Sequence, residues 1–165
     1  MSELDGAQLI DKLGHDLGVF MRARDITEPL LVGIRTGGVW VAERIQSMLE
    51  IKDELGVLDI TFYRDDFSRA GIQPTVKPSH LPLNVTDRHI ILIDDVLYTG
   101  RTVRAALNEI FDYGRPASVS LAILVERNGR ELPIQADVVG TRLSLEARQQ
   151  VQLSGPQPIV LEIVD

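Results

Sequence analysis

The chain has 165 residues, 44% hydrophobic and 25% charged, which gives room for one domain with a substantial core and excludes a disordered chain. A net charge of −7 disfavours broad nonspecific nucleic-acid binding, and the lack of cysteine excludes disulfides, thiolate zinc sites and cysteine nucleophiles. No stretch is apolar for long enough to span a bilayer, Met1-Ser2-Glu3-Leu4-Asp5 lacks the basic flank and apolar core of a signal peptide, and His15, His80 and His89 have no metal-ligand spacing, so the cytoplasm is the expected compartment.

In chain order, Ile10, Leu13, Leu17, Phe20 and Met21 recur at helical spacing and predict a first helix, ahead of a buried strand over 30–34. Arg35-Thr36-Gly37-Gly38 breaks that pattern, after which Val41, Ile45, Met48 and Leu49 form a second helical stripe. Trp40, the sole tryptophan, is read as packing material. Leu58-Asp59-Ile60-Thr61-Phe62-Tyr63 alternates as a strand does. Residues 64–87 carry Gly71, Pro74, Pro78 and Pro82 with little periodicity, and predict a long loop of the kind that serves as a lid.

Ile90-Ile91-Leu92-Ile93 is an apolar run that fits a strand buried on both faces of a parallel sheet, and it ends in Asp94-Asp95. A helix is expected from near Thr99, with Val103, Leu107, Ile110 and Phe111 as its core stripe and Gly114-Arg115-Pro116 as its stop. A buried strand over 119–125 follows, then strand-like pieces around 137–140 and 159–164. No repeat or linker interrupts the chain. Strands alternating with helices imply an α/β fold, a mostly parallel sheet flanked by helices, in a single domain over 1–165.

Two strand-to-helix turns carry the chemistry. Val96-Leu97-Tyr98-Thr99-Gly100-Arg101-Thr102 would present free backbone N–H groups and the positive end of a helix dipole, so a phosphate dianion can sit there without a large basic pocket. Asp94 and Asp95, at the carboxyl end of their strand, lie where an open α/β sheet binds ligand; acids there accept hydrogen bonds from ribose hydroxyls or support Mg²⁺. Arg35, Thr36, Gly37 and Gly38 repeat the logic one strand earlier, with amides, a hydroxyl and a guanidinium.

Paired acids after a strand also occur in response regulators, Walker B segments and plain turns. An apolar run, Asp-Asp, three residues and Thr-Gly-x-Thr together closely resemble the 5-phosphoribosyl-1-diphosphate (PRPP) motif of type I phosphoribosyltransferases, here residues Ile90 to Thr102. Further blocks, Asp59-Ile60-Thr61-Phe62-Tyr63-Arg64-Asp65-Asp66, Val103-Arg104-Ala105-Ala106, Gly114-Arg115-Pro116 and Arg130-Glu131-Leu132-Pro133-Ile134-Gln135-Ala136-Asp137, look like the bacterial pyrimidine-operon regulators that are also uracil phosphoribosyltransferases. The matches run from about Leu30 to Gly140.

That resemblance implies the type I fold, with a small C-terminal hood over approximately 125–165 and a long flexible loop. It implies an enzyme converting uracil and PRPP to UMP and pyrophosphate with Mg²⁺, and a regulator in which uridine nucleotides favour binding to leader mRNA. Relatives form homo-oligomers. Breaking the anomeric bond develops an oxocarbenium-like ribose and a highly anionic leaving group, so both phosphate ends must be gripped and no nucleophilic side chain is required. On this resemblance Thr99, Gly100, Arg101 and Thr102 hold the 5-phosphate and Asp94 and Asp95 hold ribose hydroxyls and metal. Arg35, Thr36, Gly37 and Gly38 hold pyrophosphate, with a distorted peptide expected around Arg35-Thr36, and Arg64 with Asp65 closes a lid. The base is expected near 125–138, with Arg127 as a contact. In RNA-attenuating relatives the first helix carries Thr and Arg ahead of a His, and a second His precedes Arg-Glu-Leu-Pro; here Asp11, Lys12 and Gly129 stand there, which predicts weakened leader binding. A regulator with little or no catalysis and a purine phosphoribosyltransferase are the alternatives.

Overall fold

The computed structural model describes residues 3–60, 79–81 and 84–165. Its elements are β1 (Glu3–Leu4), α1 (Gly6–Ala23), β2 (Pro29–Ile34), α2 (Gly37–Met48), β3 (Gly56–Leu58), β4 (His89–Leu97), α3 (Arg101–Tyr113), β5 (Ser118–Arg127), β6 (Val138–Leu143), β7 (Gln150–Ser154) and β8 (Val160–Val164). Five strands form one parallel sheet in the order β3-β2-β4-β5-β6, and β1, β8 and β7 form a separate antiparallel sheet. None of the helices among the described residues is long and apolar enough to cross a membrane.

Strand alternation builds two cores. Leu31, Ile91, Ile93, Ala122 and Leu124 point to the face covered by α1 and α2, while Leu30, Val32, Ile90, Leu92, Leu121 and Ile123 point to the face covered by α3. Sheet strands buried on both faces must be continuously apolar, which is why β2 and the first half of β4 are. Each fully buried Leu or Ile contributes roughly 1.5–3 kcal/mol of transfer free energy. At the start of α1 the Asp5 carboxylate accepts the Gln8 N–H at 3.0 Å, capping the helix.

The two expected helical stripes need correction at their edges. Phe111 is 55% exposed, because Val103, Ala106 and Ile110 already fill the inward positions and Phe111 sits one 100° step past Ile110. Met48 is 40% exposed, beyond the buried Val41 and Ile45. The strand expected over 58–63 begins earlier, as β3 over Gly56–Leu58, and residues 61–63 lie outside the described residues. So does most of the expected loop over 64–87; within it, His80 exchanges both backbone hydrogen bonds with Val57 at 2.7 Å.

The helix expected from Thr99 starts at Arg101, after Gly100 turns the chain at φ 96°. The region assigned to a hood, 125–165, divides. The end of β5 and β6 belong to the main sheet, because they pair in register with β4 and with each other, while β7 and β8 form the second sheet and recruit β1 from the N-terminus.

Candidate active site

Parallel pairing of β2 with β4 sets Gly33 opposite Ile93, so the segments that follow leave the sheet at neighbouring tips, about 5 Å apart across the ladder. A cavity of about 550 Å³ opens there. Arg35, Thr36, Gly37 and Trp40 line one side, Asp94, Asp95, Val96, Tyr98, Thr102 and Arg127 the next, and β7 with residues 147 and 149 ahead of it closes the cavity.

The first turn has a cis peptide between Arg35 and Thr36, at the position expected for a distorted backbone. The Arg35 N–H donates to the Leu58 carbonyl at 2.9 Å, and its guanidinium stands 4.0 Å from the buried Asp59 carboxylate. Thr36 is the N-cap of α2 and makes no side-chain cap hydrogen bond, and Thr36 and Gly37 line the cavity. Gly37 packs so closely on Asp95 that a Cβ would overlap its carboxylate, and a Cβ on Gly38 would stand 2.6 Å from the Ile93 carbonyl oxygen. Only glycine lets the pyrophosphate-type turn approach the acids.

β4 continues through both acids to Leu97, and Asp94 is 1% and Asp95 8% exposed. Their orientation is set locally. Asp94 Oδ1 accepts the Asp95 N–H at 2.9 Å, and Asp95 Oδ1 accepts the Val96 N–H at 2.9 Å. Ile90, Ile91, Leu92 and Ile93 have no exposed surface, so of the thirteen-residue motif these four aim the acids from within the core and do not touch a ligand, and Leu97 likewise packs in the core.

Of Thr99, Gly100, Arg101 and Thr102, only Thr102 lines the cavity. Thr99 and Gly100 are covered: the N–H groups of Glu131 and Leu132 donate to the Thr99 carbonyl at 2.9 and 3.1 Å, and Ile134 and Leu132 lie against Gly100. The Arg101 N–H donates to Thr99 Oγ1, while its guanidinium turns outward to Glu131 at 2.9 Å.

Arg127 is buried, not solvated. Its guanidinium lies 4.2 Å from the centroid of Tyr98 and donates to the carbonyls of Gln149 at 2.5 Å and Glu146 at 3.2 Å. Arg64, expected in the lid, lies outside the described residues. Sequence reasoning missed Trp40 and the whole of β7 as cavity walls. For β7 the signal was present, since Gln150-Val151-Gln152-Leu153-Ser154 alternates; for Trp40 nothing local distinguishes a wall from a core residue.

The model of the phosphoribosyl transferase domain matches residues 8–155. The chain belongs to the phosphoribosyltransferase family. Within it, this phosphoribosyltransferase is 61% identical over 157 residues to the Bifunctional protein PyrR of Nitrosococcus oceani, covering 94% of this chain and 89% of that one. It is 53% identical to the Bifunctional protein PyrR of Pseudomonas fluorescens, covering 100% and 98%. The chain stands among the bifunctional PyrR proteins. Solved structures share the fold at low identity: a hypoxanthine-guanine phosphoribosyltransferase from Bacillus anthracis at TM-score 0.66 and 18% identity, over 87% of this chain and 84% of that one, and a purine phosphoribosyltransferase from Pyrococcus horikoshii at 0.62 and 22%, over 82% and 84%. The type I phosphoribosyltransferase fold is that of this chain.

Proposed function

We propose that the protein is a uracil phosphoribosyltransferase, converting uracil and PRPP to UMP and pyrophosphate, and that it also regulates pyrimidine biosynthesis genes in response to uridine nucleotides. One observation carries the enzyme assignment: Arg35, Thr36 and Gly37 at one strand tip and Asp94, Asp95 and Thr102 at the next share a single cavity. A ribose with a phosphate at each end needs two anion cradles on one opening.

Arg35, Thr36, Gly37 and Gly38 grip the pyrophosphate through amides, hydroxyl and guanidinium. Thr102 and the first-turn amides of α3 take the 5-phosphate, with Thr99, Gly100 and Arg101 shaping that turn. Asp94 and Asp95 accept the ribose hydroxyls. As the anomeric bond to pyrophosphate breaks, the bond to uracil N1 forms and the N1 proton leaves; the residues contribute by alignment and by fixed dipoles facing the departing charge. Walls built from both sheets exclude water, which competes with uracil.

Phosphoribosyltransferases generally use Mg²⁺ with PRPP. Asp94 and Asp95 would hold it here: two carboxylates, with the remaining ligands from substrate and water, suit this ion, and among the described residues no three acidic or histidine side chains form a cage of their own. When bound, the ion neutralises charge on the leaving pyrophosphate.

The base occupies what the phosphates and ribose leave, beside Val96, Tyr98, Arg127 and β7. Cytoplasmic localisation and a homo-oligomer belong to the same proposal; Val19, Phe111 and Tyr113 are large apolar side chains about half exposed and available to such contacts. Leader mRNA has a reduced place in it. Asp11 is engaged by Arg44 at 3.0 Å, and Lys12 donates to Asp16 and to the Gly140 carbonyl, both at 3.1 Å.

The deciding assay offers labelled uracil, hypoxanthine and guanine with PRPP and Mg²⁺. UMP formation from uracil alone is the expected result. Turnover of a purine and not uracil would replace the assignment, and failure with every base would leave a regulator without catalysis.

A further inference from the structure

Trp40 is the sole tryptophan of the chain and sits half-buried on the wall of the cavity, four residues after Thr36 on the first turn of α2. Its backbone N–H donates to the Thr36 carbonyl at 3.4 Å, so the helical turn that carries the pyrophosphate cradle also carries the indole. Across the opening, Gly155 follows the end of β7, and a Cβ built there would lie 3.4 Å from Trp40 Cε3 and 3.3 Å from Ile159 Cγ1. The ribbon of β7 and β8 is therefore in close packing with the ring. All five residues of β7 line the cavity, together with Ala147 and Gln149 from the segment ahead of it.

We propose that Trp40 is a positioning residue for the nucleobase: its ring seats β7 at the height above the phosphate cradles that leaves a base-sized gap. This rests on the functional assignment above. The physical reason is division of the cavity. Phosphates are held by turns whose geometry is fixed by the parallel sheet, whereas the base lies against β7, whose sheet meets the first through side chains. Removing the indole lets β7 settle toward α2. A methyl at Gly155 would stand 3.3 Å from Ile159 Cγ1, tighter than ordinary contact, and 3.4 Å from Trp40 Cε3, so the turn between β7 and β8 beside the ring must shift to take it. Both changes disturb the base compartment and spare the phosphate cradles.

Calorimetric affinities for UMP and for pyrophosphate alone separate the compartments without relying on turnover. In Trp40→Ala and Gly155→Ala the dissociation constant for UMP should rise about fivefold while that for pyrophosphate stays within about twofold, and Trp40→Phe should recover most of the loss. Circular dichroism confirms folding of each variant. In the wild-type protein, the single-tryptophan emission should shift on saturation with UMP. Equal losses for both ligands, or unchanged UMP affinity in both Ala variants, would overturn the proposal. A wild-type protein that binds UMP in this pattern yet turns over no uracil would end the enzyme assignment and leave the role of Trp40 standing; no UMP binding at all would end both.

Discussion

Asp94 and Asp95 sit one after the other on a strand, so their side chains start toward opposite faces of the sheet, yet both line one cavity. Each carboxylate folds back on the amide of the following residue at 2.9 Å, which fixes one oxygen of each locally. Asparagine keeps a carbonyl oxygen for those amides and loses the charge. A double Asp94→Asn, Asp95→Asn variant should therefore melt close to the wild type and lose turnover by about 10²-fold or more, a measurement made by uracil assay beside a thermal scan. Comparable rates in the two proteins would remove the acids from the mechanism. At this scale the sequence is most legible where chemistry and backbone coincide: Asp-Asp and Thr-Gly-Arg-Thr mark a strand-to-helix turn, and the structure has one there, with Gly100 at φ 96° ahead of α3. It is least legible where a wall is made by distant chain. Trp40 becomes part of the site only because β7, more than a hundred residues later, closes over it, and Arg101 loses its guanidinium to Glu131 for the same kind of reason.

Elements with a strong period, α1 to α3 and the buried strands β2, β4 and β5, follow directly from apolar spacing, since a two-sided sheet admits no polar residue in its middle. β1 and β7 do not follow so readily. β1, of two residues, exists only by pairing with β8, and β7, although its residues alternate, pairs on one side alone, so what it covers is set by distant chain. Leu161 of β8 buries in the core under α1 and α2, with Val151, Leu153 and Ile159 packed against it, while Arg127, stacked on Tyr98, fastens the segment just ahead of β7; Gly129 is held at φ 117°, where any side chain would strike the tyrosine ring. Replacing Arg127 by Met should leave the carbonyls of Glu146 and Gln149 without these donors and lose the ring contact, lowering unfolding free energy by about 1–3 kcal/mol. Lysine, a point charge that cannot serve two carbonyls and lie flat on a ring together, should recover only part of it. Denaturant melts of both variants check this, and a Met variant as stable as the wild type would show that Arg127 does not fasten the segment.

The whole molecule is acidic, at −7, while its proposed substrates are polyanions. That is workable for a small ligand, because helix N-termini and Arg35, joined by the Mg²⁺ proposed above, would supply local positive potential inside a cavity. It is less favourable for RNA, whose affinity grows with the number of phosphates neutralised along an open surface. Three positions weigh on that surface. Asp11 is acidic and bound to Arg44, Lys12 is already donating to Asp16 and Gly140, and Gly129 has no room for a histidine against Tyr98. With UMP bound, affinity for a pyrimidine-operon leader transcript should therefore fall within a fewfold of that for an inert transcript of equal length. Since each phosphate neutralised adds nearly one unit to the slope of log affinity against log salt, that slope should also be shallow between about 50 and 200 mM. Filter binding at both salt concentrations measures the two quantities together. Nanomolar, steeply salt-dependent preference for the leader would mean that a cationic surface is completed elsewhere, by a second copy of the chain bringing its own arginines alongside, and would shift the regulatory role from the nucleotide site to the assembled face.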